Sequence, residues 1–197
     1  MTRWDLNLSP LWGRGGSPIA PRLLCLHWLT AEPDPGEGYR PRAYTRPEEL
    51  ERLVEVIRPI GSYGAVWWGG QVRLGVEPGR KAGHAAGSEG LADANANSFG
   101  LAIPYLSPSY NPRGIPGEQE LPFVVHSTGE QRTAYYPPLD EDMLRECVQW
   151  ARDFFLAQGW APAGVITPAM INPRKNDITN LGTRLHGDLT ALFLGLS

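Results

Sequence analysis

The sequence predicts a single α/β domain with a central mixed β-sheet flanked by helices. Three observations predict it. The run Arg22 to Trp28 is almost continuously apolar, as in a strand buried on both faces. Asp140 to Gln158 carries a long amphipathic helical pattern. The elements follow one another as βαββ…βαβα, an order that packs helices on a sheet. At 197 residues the chain is long enough for one domain with a full core, and neither an internal repeat nor a second domain is visible.

Taken in order, residues 1–20 are rich in Pro, Gly and Ser and read as an irregular arm, which leaves 21–197 as the domain. After the first strand, 31–44 form a Pro/Gly loop. Thr45 and Glu48 make a capping box and Pro47 suits a first turn, so a helix is expected over 46–58. Leu50, Leu53, Val54 and Ile57 form its apolar face, and Pro59 and Gly61 end it. Tyr63 to Trp68 and Gln71 to Val76 read as two strands turning at Gly69-Gly70. A polar loop over 77–97 carries His84, and Ser98 to Ile103 is the next strand. Residues 104–138 form a long Pro/Gly-rich excursion with a short apolar piece at Phe123-Val124-Val125. In the helix that follows, Met143, Cys147, Trp150, Ala151, Phe154 and Phe155 make the buried side, and Gly159 stops it. Gly164 to Thr167 is a short strand, and Leu181, Leu185, Leu189 and Leu192 mark a last helix.

Composition narrows the function. The net charge of -3 offers no basic excess for a phosphate backbone, so nucleic acid is not expected as a partner. No apolar run is long enough to span a bilayer. Met1-Thr2-Arg3-Trp4-Asp5 lacks the basic-then-apolar layout of a signal peptide. The expected locations are therefore cytoplasmic, virion-associated or released by lysis. Cys25 and Cys147 form no disulfide framework and read as buried thiols.

The chemistry concentrates in a few motifs. Leu26-His27-Trp28-Leu29-Thr30-Ala31 ends the first strand in a histidine, and Ser62-Tyr63 opens a later strand. Gly83-His84-Ala85-Ala86, Asn95-Ala96-Asn97-Ser98-Phe99-Gly100 and Tyr136-Pro137 follow, and Arg174-Lys175-Asn176-Asp177 closes the set. In this order the chain resembles the zinc-dependent N-acetylmuramoyl-L-alanine amidases and the peptidoglycan recognition proteins that share their fold, over roughly residues 22 to 192.

The resemblance implies zinc as cofactor, with His27 and Asp177 as ligands. It implies Lys175 as the cation that stabilises an oxyanion and Tyr63 as a hydrogen-bond donor to bound water or carbonyl. His84, Asn97 and Trp67 would line the substrate groove. Two positions depart from the family. The remaining ligand histidine falls on Thr167, whose neutral hydroxyl is a poor zinc ligand, and the general-base glutamate falls on Ala102. The metal set is thus incomplete unless Cys25, His84 or His126 rebuilds it.

Each residue also has a plainer reading. His27 is a core histidine, Tyr63 a core aromatic, Arg174 and Lys175 a solvated turn, Asp177 a helix cap, Trp67-Trp68 packing and His186 a solvated side chain. Three functions follow. The first is a peptidoglycan-directed protein of amidase type, its hydrolysis weak or lost. The second is an active, endolysin-like zinc amidase with a rebuilt metal site. The third is a scaffold recruited into a phage tail or injection assembly. The partners expected are peptidoglycan or a muropeptide, or proteins of such an assembly.

Overall fold

The computed structural model describes residues 17–30, 64–68, 71–84, 94–105, 108–125, 128–172 and 175–196. The expected helix over 46–58, the loop over 31–44, Ser62-Tyr63, the Gly69-Gly70 turn, His126, Arg174 and most of the N-terminal arm lie outside the described residues.

The first strand, β1 (Leu23–Thr30), lies inside a five-stranded sheet. Its partners are β2 (Ala65–Trp68), β3 (Gln71–Leu74), β4 (Ser98–Tyr105) and β7 (Gly164–Ile166), in the order β3-β2-β4-β1-β7. β1 runs parallel to β4 and β7, and β2 runs parallel to β4 but antiparallel to β3, so the sheet is mixed as expected. The strand predicted at Arg22 to Trp28 is buried because it has a neighbour on each side and cover on each face.

Register divides the sheet into two unlike faces, since successive side chains point to opposite sides. Leu24 and Leu26 of β1, with Phe99, Leu101 and Ile103 of β4, belong to the main core. The long helix α2 (Glu141–Ala157) and the C-terminal helix α4 (Thr183–Leu194) cover that face, and β2, β3 and β7 add Trp67, Leu74 and Val165 to the same core. Asp140 caps α2 by accepting a hydrogen bond from the Met143 amide at 2.9 Å, and Glu141 and Asp142 suit the positive end of its dipole. Leu144 and Val148 are buried beside the stripe read from sequence. The stripe is wider than predicted because α2 packs against both the sheet and α4. Phe99, Phe155, Trp160 and Phe193 interlock around it, with ring centroids 4.9 to 6.1 Å apart in the Phe155–Phe193, Phe155–Trp160, Phe99–Phe155 and Phe99–Trp160 pairs.

Three regions depart from expectation. The 104–138 excursion is not wholly irregular: β5 (Gln119–Val124) and β6 (Gln131–Tyr136) pair there as an antiparallel hairpin. Pro122 lies within β5, an edge strand of a two-stranded sheet, where proline is tolerated. The loop over 77–97 ends in a one-turn helix, α1 (Ala94–Asn97). The final helix begins at Thr183, leaving Leu181 in a separate 3-10 turn (Thr179–Leu181). Ile178, at φ 55, and Gly182, at φ 68, break the chain on either side of that turn. Among the described residues no helix is long and apolar enough to cross a membrane.

Candidate metal and ligand site

The second face of the sheet carries the site. Cys25 and His27 alternate with Leu24 and Leu26 on β1 and so point away from the main core. Across the ladder Cys25 faces Gly100 and His27 faces Ala102. These two small residues leave space, and the imidazole of His84 fills it. A Cβ on Gly100 would stand 2.5 Å from His84 Cγ, so only glycine admits the ring there. Ile166, which pairs with Cys25, joins Ala94 of α1 and Ile171 of the short helix α3 (Pro168–Ile171) in a small apolar cover.

His84 is buried, and its Nε2 lies 3.1 Å from the Ser98 carbonyl oxygen. A carbonyl only accepts, so this nitrogen carries the proton. Burial, and next the neighbouring His27, hold the pKa of His84 down at about 3, against the opposing pull of the Ser98 bond. The ring is therefore neutral, and its Nδ1 presents a lone pair. His27 Nε2, 3.0 Å away, donates to it. The other edge of the His27 ring, Nδ1, meets Asp177 Oδ2 at 3.0 Å. A single chain of contacts thus runs Asp177–His27–His84–Ser98, buried except at its half-buried Asp177 end. Cys25 Sγ completes a group with His27 and His84 whose ligand atoms all lie within 4.8 Å of one another. Burial, aided by the charge of Asp177, pushes the Cys25 thiol far above its ordinary value.

The turn bearing Asp177 is held from outside. Asn176 Nδ2 donates to the Val124 carbonyl at 2.7 Å, and its Oδ1 accepts from the Val124 amide at 3.0 Å. This side chain behaves as one more strand residue beside β5 and fastens the Asp177 turn to the hairpin. Ile178 then takes a left-handed backbone, a conformation costing a β-branched residue roughly 1–3 kcal/mol. Asn180 Nδ2 donates to the Pro137 carbonyl and to the Tyr105 hydroxyl, at 2.9 and 3.0 Å. Tyr105 itself donates to Pro137, so the Tyr136-Pro137 motif anchors the same segment.

Several sequence expectations need correcting. Asp177 does not cap a helix: Ile178 holds the cap position of the following turn, and the Asp177 carboxylate goes to His27. Trp67 is 3% exposed and packs in the main core, so its indole is not offered to a groove. His186 is half-buried, with Nε2 2.7 Å from the Val165 carbonyl, rather than solvated. Asn97 is exposed at the end of α1. Lys175 is half-buried, and no described hydrogen bond or ion pair joins its side chain to His27. Tyr63 lies outside the described residues. The sequence offered Cys25 and His84 as substitute ligands, but the direct His84–His27 contact and the Asn176 clamp went unread because neither is a local pattern; the small residues at Gly100 and Ala102 were the available signal of room beside His27.

Thr167 decides how zinc fits. It is 1% exposed, and its hydroxyl has no hydrogen-bond partner among the described residues. As the third member of the set the resemblance implies with His27 and Asp177, it would offer a metal only a neutral hydroxyl, a poor ligand. Ala102, beside His27 in the ladder, supplies no base.

The mixed sheet, whose first strand carries a buried histidine met by an aspartate from a later turn, has an amidase-like or peptidoglycan recognition protein-like fold. Three solved structures are similar to this chain. PlyL superposes with a TM-score of 0.50 at 11% identity, over 95% of this chain and 96% of that one. The endolysin N-acetylmuramoyl-L-alanine amidase LysCS from Clostridium intestinale URNW gives 0.42 at 12% identity, over 95% and 98% of the two chains. Drosophila PGRP-LB in complex with tracheal cytotoxin gives 0.46 at 12%, over 88% and 86%. At such identities the likeness is one of fold. No protein-family model matches the sequence. No curated protein matches it in sequence.

Proposed function

We propose that this chain is a peptidoglycan-directed protein of N-acetylmuramoyl-L-alanine amidase type in which hydrolysis is weak or lost. The observation that carries the reading is Thr167, a buried hydroxyl without a hydrogen-bond partner among the described residues, where the resemblance calls for a ligand histidine. The fold supports the ancestry, and Ala102 beside His27 supports the impairment.

In an active relative of this kind zinc would polarise the amide carbonyl and activate water. The residues of this chain in the corresponding places are His27 and Asp177 at the metal, with Lys175 and Tyr63 proposed to steady the oxyanion and the carbonyl. His27 and Asp177 bond directly to each other, which keeps the imidazole oriented but leaves each to satisfy the other. The proposed ligand is the amide junction between N-acetylmuramic acid and L-alanine, recognised without rapid cleavage.

The enzyme reading keeps one observation in its favour, the Cys25, His27 and His84 group, whose donor types suit zinc. Sedimentation with insoluble peptidoglycan tests the proposal. Retention of the protein with the wall is expected, and His27→Ala should weaken it only if the centre contacts ligand. Absence of retention would contradict wall recognition and favour recruitment into a phage tail or injection assembly.

A further inference from the structure

The two edges of the His27 ring lead to different places. Nδ1 faces a carboxylate, Asp177, with the neutral Thr167 as the remaining family position. Nε2 faces a second imidazole, His84, and Cys25 Sγ lies within 4.8 Å of a ring nitrogen of each histidine. One ion cannot use both edges, because the lone pairs of an imidazole diverge. We propose that Cys25, His27 and His84 form a soft divalent-metal site on the Nε2 edge, suited to zinc, with Asp177 orienting the ring instead of binding the ion.

The donor chemistry favours this edge. Two imidazole nitrogens and a thiolate are ordinary zinc ligands, whereas a carboxylate and a neutral hydroxyl make a poor set. The second partner is in place as well: a histidine that binds metal through one nitrogen usually gives its other N–H to a carboxylate, which is the geometry of His27 and Asp177. His84 is held in the matching tautomer, since the Ser98 carbonyl takes its Nε2 proton and leaves Nδ1 bare toward His27. Tetrahedral zinc, with bonds of about 2.0–2.3 Å, sets its ligand atoms roughly 3–4 Å apart. Ligand atoms within 4.8 Å of one another reach that by small rotations. Binding requires His27 Nε2 and the Cys25 thiol each to give up the proton it carries.

The site is enclosed. Cys25, His27 and His84 are 0, 2 and 8% exposed. Metal there ties β1 to the segment after β3, a holding role consistent with weak hydrolysis. The inference rests on the cluster and not on wall recognition, so sedimentation with peptidoglycan and metal binding fail independently.

Cobalt(II) and zinc added to the metal-stripped full chain test it. The expected result is one ion per chain and, with cobalt, a sulfur-to-metal charge-transfer band in the near ultraviolet. Cys25→Ser should abolish the band and His84→Gln should end stoichiometric binding, each with a native circular dichroism spectrum. Asp177→Asn should keep the band while affinity falls about 10–100-fold. Binding without the band, or binding lost in Asp177→Asn but kept in Cys25→Ser, would place the ion on the Nδ1 edge and overturn the assignment. A folded chain that takes up neither metal would overturn it too.

Discussion

The two faces of the central sheet are made from alternate residues of the same strands, yet they solve opposite problems. One face presents Leu24, Leu26, Phe99, Leu101 and Ile103 to α2 and α4, and its stability comes from volume. The other presents Cys25, His27, Gly100 and Ala102, and its order comes from directed polar contacts in cleared space. The contrast teaches that small residues can mark a site as clearly as polar ones. Gly100 contributes no side chain, but a Cβ there would meet the His84 ring.

Substitutions can break this contrast in graded steps. The largest loss is expected on the apolar face. Phe155 is fully buried and touches the rings of Phe99, Trp160 and Phe193. Phe155→Ala should cost about 3–5 kcal/mol in urea unfolding, from lost burial plus the cavity left behind. On the site face Gly100→Ala should cost about 1–3 kcal/mol, because the new methyl must displace an imidazole set against backbone. It should also end metal binding while the apolar core stays native, which separates the two faces in one variant. Asn176→Ala removes both bonds to Val124 and should cost about 1–2 kcal/mol, with faster hydrogen exchange at the Val124 amide. The smallest effect belongs to the surface. Arg184 is 69% exposed and pairs with Glu141 and Asp188. Arg184→Ala should change stability by about 1 kcal/mol or less, and the difference should vanish in high salt.

Acid sharpens the comparison further. In the unfolded chain His84 takes a proton near its ordinary 6.5, whereas in the fold burial holds it down at about 3. Between those values the unfolded state binds the extra proton. The metal-free protein should therefore keep this stability above pH 6.5 and lose it as pH falls toward 3. Urea midpoints measured across that range should flatten in His84→Gln. The Phe155 face should show no such dependence.

The apolar face was readable because its signals are periodic and repeated. The continuous apolar run on β1, the alternation on β4, the α2 stripe and the stop at Gly159 each follow from local chemistry, and packing agrees with them. The hairpin of β5 and β6 was hidden by Pro122 and by its Pro- and Gly-rich surroundings, since a two-stranded sheet needs no strong strand signal. On the site face, His27, Thr167 and Asp177 stood out through motif order. The joining of His27 to Asp177 spans 150 residues and that of His27 to His84 spans 57, distances at which no periodicity helps. Trp67 misled because an aromatic pair looks the same in sequence whether it meets a ligand or the core. Asn176 was passed over as a spacer between Lys175 and Asp177, although its amide holds the turn in place.

The central claim is that an amidase-like frame survives here around a centre that no longer hydrolyses well. Its most direct test is the zinc-supplied wild-type chain on purified peptidoglycan, read as new L-alanine amino termini over time. The account predicts release barely above the rate without protein, and no further loss in His27→Ala. Sustained release by the wild-type chain, abolished in His27→Ala, would contradict it.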